Sequence, residues 1–161
     1  MSKFHSIKIA DIYKETKDCS VLSFEIPQEL KQEFQYKQGQ HLTLKAIIDG
    51  EDVRRSYSLC SSPIENKWKV AVKKINGGLF STYVNETLKS GDILEIMPPS
   101  GKFNVEIDTQ KAKNYIAFAA GSGITPILSI IKTHLKSEPN STFKLFYLNR
   151  SVKSIIFKEE I

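Results

Sequence analysis

Two short segments carry residue types that suit the binding of a phosphorylated ligand with a ring system. Arg55-Ser56-Tyr57-Ser58 combines an arginine fork for phosphate, an aromatic face for stacking and hydroxyls that reach ring nitrogens. Gly78-Leu79-Phe80-Ser81 places a glycine, which permits close backbone approach, before helix amides that attract an anion. Lys73 and Lys74 precede it, and we expect only one of them to approach a phosphate through its side chain, since neighbours on a strand face opposite ways.

A third segment, Gly121-Ser122-Gly123-Ile124-Thr125-Pro126, follows an apolar run and precedes an amphipathic stretch. A strand, a G-x-G turn and a helix in this order are typical of a dinucleotide-binding site. Pro126 stands where the usual pattern has its last glycine. We expect Thr125 to cap the helix and Pro126 to lie in its first turn. Taken singly, each segment also fits a purely structural interpretation: an amphipathic strand, a helix cap and a tight turn.

The predicted secondary structure that positions these segments changes along the chain. Short strands with alternating apolar residues fill the first hundred residues, and one short helix interrupts them, which is typical of a small antiparallel barrel or sandwich. In the fifth strand, for example, Trp68, Val70 and Val72 share one face. The strands are predicted at His5–Tyr13, Cys19–Ile26, His41–Ile48, Val53–Ser58, Trp68–Ile75 and Ile93–Met97, with the helix at Leu79–Leu88.

After Asp108 the pattern predicts a strand, a helix, a second strand and a second helix, which is the start of a doubly wound α/β fold. The first strand is a continuous apolar run, as expected of a parallel strand that is buried on both faces. Two strands cannot complete such a sheet, so we expect a truncated chain or a sheet that another element completes. These four elements are predicted at Tyr115–Ala120, Ile127–Lys136, Phe143–Leu148 and Ile155–Glu160.

The net positive charge of the chain comes entirely from this second part. Residues 1–110 contain 15 Lys and Arg against 15 Asp and Glu, whereas residues 111–161 contain 8 against 3. The excess near the glycine turn favours an anionic partner there, although a short segment also varies by a few charges by chance. A neutral barrel segment argues against a nucleic-acid-binding barrel, the least favoured alternative.

Composition also limits the compartment and the cofactors. The 161 residues contain no apolar run of the ~18–20 residues that a membrane span needs, and the first residues lack the apolar core of a secretory signal. Cys19 and Cys60 are too few to hold an iron–sulfur cluster with four thiolates. We predict two buried free thiols in a cytoplasmic protein, with a disulfide as the alternative.

In this order, R-x-Y-S, G-x-x-S and G-x-G-x-T-P resemble the motifs of the ferredoxin–NADP reductase family of flavoproteins, particularly the reductase components of bacterial multicomponent oxygenases. The resemblance implies a β plus α/β fold: a six-stranded antiparallel Greek-key flavin-binding barrel with one short helix in residues 1–108, then the first, incomplete part of a doubly wound NAD(P)-binding domain in residues 112–161. The family's [2Fe–2S] domain is expected in a missing domain or in a partner. Supporting matches are Gly39–Leu44, Met97–Phe103, Asn149–Ser151 and Phe157–Ile161.

The resemblance also implies roles for the motif residues. Arg55 would neutralise the FAD pyrophosphate, while Tyr57 and Ser58 would position the flavin and are the only residues expected near the reacting atoms. No metal ligands are predicted. The FAD-binding set is Arg55, Ser56, Tyr57, Ser58, Val72, Lys73, Lys74, Gly78, Leu79, Phe80 and Ser81. The NAD(P)-binding set is Gly121, Ser122, Gly123, Thr125 and Arg150.

The implied activity is hydride transfer from NAD(P)H to FAD, followed by transfer of single electrons to an iron–sulfur domain or oxygenase component. Such chemistry needs no acid–base dyad from the protein. His5, His41 and His134 accordingly lie apart in the sequence and outside the motifs. The main alternative is a non-catalytic module that binds flavin or a nucleotide, and neither a nucleic acid nor a membrane is expected as a partner.

Overall fold

Alternating apolar residues produce one six-stranded antiparallel sheet in the computed structural model, which describes residues 3–161. Its strands are β1 (His5–Thr16), β2 (Cys19–Glu25), β3 (His41–Ile48), β4 (Glu51–Ser58), β5 (Trp68–Lys73) and β6 (Ile93–Ser100). The strand order is β4-β3-β6-β1-β2-β5. A bridge between Leu59, just after β4, and Val70 on β5 joins the two outer strands and closes the sheet into a barrel. The predicted six-stranded antiparallel barrel is therefore confirmed.

The interior of the barrel is filled by the apolar face of each strand. Trp68, Val70 and Val72 point into this core as their alternation predicts, and the indole of Trp68 donates a hydrogen bond of 2.7 Å to the carbonyl of Phe34. The helix α1 (Leu79–Glu86) covers one side of the core, where it buries Phe80. Burial of large apolar side chains is the main stabilising contribution in such a barrel.

The second part of the chain contains two parallel strands, β7 (Asn114–Ala120) and β8 (Thr142–Leu148), connected through the helix α2 (Ile124–Ser137). This strand–helix–strand unit confirms the predicted start of a doubly wound fold. The expectation that β7 is buried on both faces is wrong, because α2 packs on one face only and no other helix in residues 3–161 covers the opposite face. Ile116 and Phe118 consequently lie exposed.

A second apolar cluster joins the two parts. Cys19 and Cys60 contribute from the barrel, and Ile124 and Phe157 contribute from the second part. Both cysteines are free thiols, as predicted, and burial raises the pKa of each to about 12. The thiols therefore stay protonated at neutral pH and serve as apolar packing.

The predicted helix at 155–160 is wrong. The chain forms a 3-10 turn at Val152–Ser154 and then further turns, with Phe157 in the left-handed region at φ 61°. The amide of Phe157 donates to a carboxylate oxygen of Glu15 at 2.8 Å, and its ring is buried in the second cluster. These contacts with the barrel outweigh the local helical pattern. No helix within residues 3–161 has the length and apolarity needed to cross a membrane.

Candidate functional site

The strand β4 and the helix α1 bring the first two sequence segments together. The ring of Tyr57 lies 5.9 Å from the ring of Phe80, centroid to centroid, and is tilted by 33°. Tyr57 is half-buried, and burial raises the pKa of its hydroxyl to about 12, although the charge of nearby Arg55 acts in the opposite direction. The hydroxyl is therefore protonated at neutral pH, and the residue offers an uncharged aromatic surface beside a cation.

The two adjacent arginines of β4 are used differently. Arg54 donates two hydrogen bonds of 2.8 Å to the carboxylate of Asp52, so its charge is already paired. Arg55 forms no ion pair with any residue from 3 to 161, and one of its nitrogens donates to the carbonyl of Arg54 at 2.6 Å. Its remaining donors lie on an exposed side chain. Arg55 is thus the arginine that an incoming phosphate can engage.

The two serines of the same segment occupy other positions. Successive side chains of a strand face opposite ways, so Ser56 lies across β4 from Arg55 and Tyr57. Its hydroxyl lies 3.0 Å from that of Thr43 on the neighbouring strand β3. Ser58 ends β4 and is half-buried. Arg55 and Tyr57 therefore share one face of β4, where Tyr57 contacts Phe80 of α1.

A side chain at Gly78, the last residue of the turn before α1, would displace the hydroxyl of Ser81. A Cβ atom added to Gly78 would lie 2.5 Å from Oγ of Ser81, which is closer than real contacts allow. The hydroxyl of Ser81 donates to the carbonyl of Gly78 at 3.1 Å and accepts from the amide of Ile75 at 3.2 Å. Ser81 therefore builds the turn, while the amides of the first helical turn, which have no acceptor four residues earlier in the helix, remain for an anion. This cradle fits a pyrophosphate.

Asn85 fixes the position of this helix and was not identified from the sequence. Its amide nitrogen donates to the carbonyls of Val72 at 3.0 Å and of Ser81 at 2.9 Å. Its amide oxygen accepts from the hydroxyl of Ser20 at 2.8 Å and from the ammonium of Lys14 at 2.9 Å. The side chain thus connects α1 to β1, β2 and β5. The only sequence signal is its spacing of four residues from Ser81, which places both residues on one helix face.

An open groove of about 750 Å³ separates the end of β5 from the carboxyl ends of β7 and β8. Ligands of open α/β sheets bind at the carboxyl ends of the strands. The groove is lined by Lys73, Lys74, Ile75, Asn76, Ala120, Gly121, Ser122, Leu148, Asn149 and Arg150. The structure therefore brings Lys73, the glycine turn and Arg150 together, although they are far apart in the sequence.

Of the two lysines of the groove, as of the two arginines of β4, one forms an ion pair and the other forms none within residues 3–161. Lys74 forms an ion pair with Glu86 of α1. Lys73 has no such partner in residues 3–161, and its ammonium lies 3.9 Å from the position that a Cβ atom of Gly121 would occupy. Gly121 has a φ of 50°, in the region that favours glycine. The structure thus places the unpaired lysine beside the glycine turn.

The glycine turn itself is a 3-10 turn, Gly121–Gly123, that leads directly into α2. The expectation that Thr125 caps this helix is wrong, because the backbone is already helical at the N-cap residue Gly123. The hydroxyl of Thr125 instead donates to the carbonyl of Ser122 at 3.0 Å. A Cβ atom at Gly123 would meet no other group within 4 Å, so the space in front of this residue is open.

Tyr147 supports the turn from the neighbouring strand and was also not identified from the sequence. Its hydroxyl donates to the carbonyl of Gly121 at 2.9 Å, which fixes the turn against β8.

The histidines do not line the groove; the ring of His41, for example, lies 3.1 Å from the hydroxyl of Ser100. Within residues 3–161, no group of three or more His, Cys, Asp and Glu side chains is arranged to hold a metal ion. The cations that line the groove, Lys73 and Arg150, are suited to an anion.

The barrel and the glycine turn each match a known family. Residues 6–105 match the oxidoreductase FAD-binding domain. The chain belongs to this family. Residues 118–161 match the oxidoreductase NAD-binding domain, so the chain combines the flavoprotein barrel with nucleotide-binding sequence. The match confirms the resemblance on which the sequence interpretation rests.

Two curated relatives are similar to nearly the whole of this chain. A component of the 1,2-phenylacetyl-CoA epoxidase of Escherichia coli (strain K12) is 45% identical over 161 residues, which are 100% of this chain and 45% of that protein. The ferredoxin reductase component of the 3-ketosteroid-9-alpha-monooxygenase of Rhodococcus rhodochrous is 38% identical over 96% of this chain and 44% of that protein. The chain thus spans less than half the length of these relatives.

Solved structures show the same fold. Phthalate dioxygenase reductase, described as a modular structure for electron transfer from pyridine nucleotides to [2Fe–2S], superposes with a TM-score of 0.81 at 29% identity, over 98% of this chain and 47% of that chain. A ferredoxin NADP+ reductase from Neisseria gonorrhoeae superposes with a TM-score of 0.82 at 21% identity, over 99% of this chain and 63% of that chain. The chain therefore has the ferredoxin reductase-like FAD- and NAD-binding fold.

Proposed function

We propose that this chain is the flavin-binding half, with the first part of the nucleotide-binding half, of an oxygenase reductase. In this proposal NAD(P)H supplies a hydride to FAD, and electrons then pass singly to an iron–sulfur partner. The groove carries the proposal, since it lies where the barrel meets the glycine turn and presents a cation from each side, Lys73 and Arg150. The family match of each part supports the same two ligands.

The barrel residues would bind and orient the flavin. When bound, the flavin supplies the redox chemistry by accepting a hydride and releasing electrons one at a time. Arg55 would pair with the pyrophosphate, and the first amides of α1 would donate to the same group because Gly78 leaves them accessible. Tyr57 would pack against the flavin, held by its contact with Phe80. Ser58 would lie near the reacting edge of the flavin ring.

The residues of the second part would hold the nicotinamide nucleotide. Gly121 and Gly123 would let the ligand approach the backbone, with Thr125 holding the turn through its bond to Ser122. We reassign Lys73, which the resemblance placed in the FAD-binding set, to the nicotinamide nucleotide, where it and Arg150 would pair with the phosphates from opposite sides of the groove. Neutralisation from both sides matters because the dinucleotide brings two phosphate charges to the groove.

The proposed electron acceptor rests on the relatives. One relative belongs to an epoxidase, and another is the ferredoxin reductase component of a monooxygenase. We therefore propose that an iron–sulfur domain or an oxygenase component receives the electrons. We also propose a cytoplasmic location, since NAD(P)H is produced there and buried thiols stay reduced.

Two titrations test this function. The purified chain is first titrated with FAD while the visible flavin absorbance and fluorescence are recorded, and we expect saturable binding. NADH and NADPH are then added without oxygen, and we expect the flavin absorbance to bleach faster than that of free FAD. A chain that binds no FAD contradicts the proposal. Binding of FAD without faster bleaching favours the non-catalytic flavin-binding module instead.

A further inference from the structure

A histidine that the proposed flavin and nucleotide sites do not use lies where α2 meets the barrel. His134, in the last turn of α2, is completely buried. Its Nε2 atom lies 3.2 Å from the amide nitrogen of Gln38, in the segment that leads into β3. The same atom lies 3.3 Å from the carbonyl oxygen of Val105, in the connector (residues 101–113) that joins the barrel to β7. One ring nitrogen of the second part therefore contacts both the barrel and the connector.

The hydrogen bonds around this nitrogen determine where the ring carries its proton. A carbonyl oxygen only accepts, so the side-chain amide of Gln38 must turn its nitrogen toward Val105, to which it donates a hydrogen bond. The other hydrogen of this nitrogen is available to Nε2 of His134, which accepts only when it is unprotonated. The neutral ring then carries its proton on Nδ1, which lies 3.4 Å from a carboxylate oxygen of Glu138.

The segments around His134 are packed closely. Gly39 has a φ of 84°, and a Cβ atom added to it would lie 1.9 Å from the carbonyl oxygen of Phe103, so the barrel backbone touches the connector here. Gln38 is only 4% exposed. A buried donor that loses its partner is not compensated by water, so a change in protonation at His134 must move one of these segments.

We propose that His134 is a proton-operated latch between the barrel and α2. Protonation of Nε2 places a hydrogen against the N–H of Gln38, so that two donors face each other. The charged ring donates to Val105 only by displacing the amide of Gln38, and Gln38 then separates from α2. The contact with Glu138 persists, because both residues lie at the same end of the helix. Since α2 begins at the glycine turn, the latch sets how closely this turn is held against the barrel.

The charged and titratable groups that face His134 do not change protonation near neutral pH. Burial acts in the opposite direction, but hydrogen bonds lower the pKa of Glu138 to about 2, and a backbone hydrogen bond lowers that of Asp108. Burial raises the pKa of Tyr115, whose ring lies 5.1 Å from that of His134. Desolvation opposes it, but Tyr115 and Glu138 raise the pKa of Lys113. A charge that appears at this contact between about pH 5 and pH 8 therefore belongs to the ring.

Two measurements on the ligand-free chain test the latch. Nuclear magnetic resonance of the 15N-histidine-labelled chain gives the tautomer and the titration of His134, whose signals are identified by their loss in His134→Gln. Hydrogen exchange, corrected for its intrinsic dependence on pH, reports opening of residues 38–40 and 103–108. We expect the proton on Nδ1 at pH 8. Exchange in both segments should rise by about fivefold toward pH 5, the scale of one lost hydrogen bond, with the midpoint of the ring titration.

Two variants of the latch and one matched control sharpen the test. His134→Gln presents a neutral oxygen to the amide of Gln38, so exchange should stay low from pH 8 to pH 5. His134→Leu removes the acceptor and should raise exchange at pH 8 to the level of the unaltered chain at pH 5. His5→Gln is the control, because Nε2 of His5 lies 3.3 Å from Glu33 within the barrel, and it should leave the pH dependence unchanged.

Several outcomes would overturn the latch. These are a proton on Nε2 at pH 8, a ring that does not titrate between pH 5 and pH 8, and exchange whose midpoint differs from that of the ring. The same pH dependence in His134→Gln as in the unaltered chain would also overturn it. Thermal unfolding at pH 8 checks that each variant folds, and the tautomer of the unaltered chain decides without any variant. The test contains no flavin, so its failure leaves the proposed function untouched.

Discussion

The barrel and the parallel strand pair contain the same kind of glycine turn but differ in what covers their sheets. Each has a glycine turn that ends a strand region and begins a helix, at Gly78 and at Gly121–Gly123. The barrel sheet, however, encloses a continuous apolar core, whereas the face of β7 and β8 opposite α2 exposes the stacked rings of Phe118 and Phe146, 5.0 Å apart. The same kind of turn therefore occurs in both parts, whereas the burial of a sheet face depends on what packs against it.

The two parts also differ in what lies buried. The barrel core is apolar, but the second part buries the carboxylate of Glu138 completely. That carboxylate accepts hydrogen bonds from the amide of Asp108 at 2.8 Å, the hydroxyl of Ser141 at 2.8 Å and the hydroxyl of Tyr115 at 2.9 Å. Desolvation favours a raised pKa, but these hydrogen bonds prevail and lower the pKa of Glu138 to about 2. The second part thus depends on a buried carboxylate and the donors around it.

The largest expected effect on ligand binding tests whether the flavin belongs to the barrel. Arg55→Ala should weaken FAD binding by roughly 2–3 kcal/mol, the scale of a hydrogen bond to a charged group. Arg54→Ala is the matched control, because Asp52 already pairs with Arg54, and its Kd for FAD should stay within about threefold. Fluorescence titration measures both. Equal losses in the two variants would show that overall charge, and not the free guanidinium, determines binding.

The next effect concerns the pH dependence of the free energy of unfolding, to which the buried carboxylate of the second part contributes. Glu138→Gln should lower the free energy of unfolding at neutral pH by about 1–3 kcal/mol, because buried donors lose their charged acceptor. In the unaltered chain the folded-state pKa of about 2 lies below the ordinary value of 4.5, so the carboxylate stabilises the fold above about pH 4.5. That contribution declines as the pH falls toward 2.

Thermal unfolding between pH 2 and pH 7 measures this dependence. The unaltered chain should lose stability through the acid range, and Glu138→Gln should lose less. Glu159→Gln is the control, since the Glu159 side chain is 92% exposed and should leave the pH profile unchanged. A Glu138→Gln profile parallel to that of the unaltered chain would assign the acid sensitivity to other carboxylates.

A smaller effect tests whether the groove joins the two parts in binding. Lys73→Ala should weaken NAD(P)H binding by about 1 kcal/mol, the scale of a partly exposed charge contact. Lys74→Ala should have less effect, because Lys74 is paired with Glu86. Titration of the FAD-loaded chain with NADPH gives both dissociation constants. A greater loss in Lys74→Ala would reverse the assignment of the groove cation.

The smallest effect concerns the exposed sheet face. Phe118 is 70% exposed, so Phe118→Ser should change the free energy of unfolding by no more than about 0.5 kcal/mol. Denaturant unfolding measures the change. The buried counterpart in the barrel is Phe34, and Phe34→Ala should cost about 3–5 kcal/mol in the same assay. A comparable loss at Phe118 would mean that this face is covered in solution.

The sequence predicted the fold best where period and burial coincide. Alternation of Trp68, Val70 and Val72 with polar neighbours identified β5 because a barrel buries one face of each strand. The turn at Phe157 could not be predicted, since Glu15, more than a hundred residues away, determines its backbone. The exposed face of β7 was missed for a related reason: an apolar run indicates a strand suited to burial and does not specify what covers it.

The sequence likewise predicted some features of the candidate site and missed others. The motif residues Arg55, Gly78 and Gly121 were predicted from type and spacing, because arginine forks and glycine turns have recognisable local requirements, and their roles in binding stay predictions. Which of two adjacent cations is free could not be predicted, since the answer depends on Asp52 beside one arginine and Glu86 beside one lysine. The helix anchor Asn85 was missed because its partners come from three strands.

The reactivity of the two thiols in the second cluster reports how often the two parts of the chain transiently separate. Cys19 and Cys60 are shielded by Ile124 and Phe157, and alkylating reagents react with the thiolate, which is scarce when the pKa is about 12. Modification at neutral pH must therefore wait for the cluster to open. Its rate measures how often the barrel separates from the glycine-turn region, and a ligand that bridges the groove would slow it.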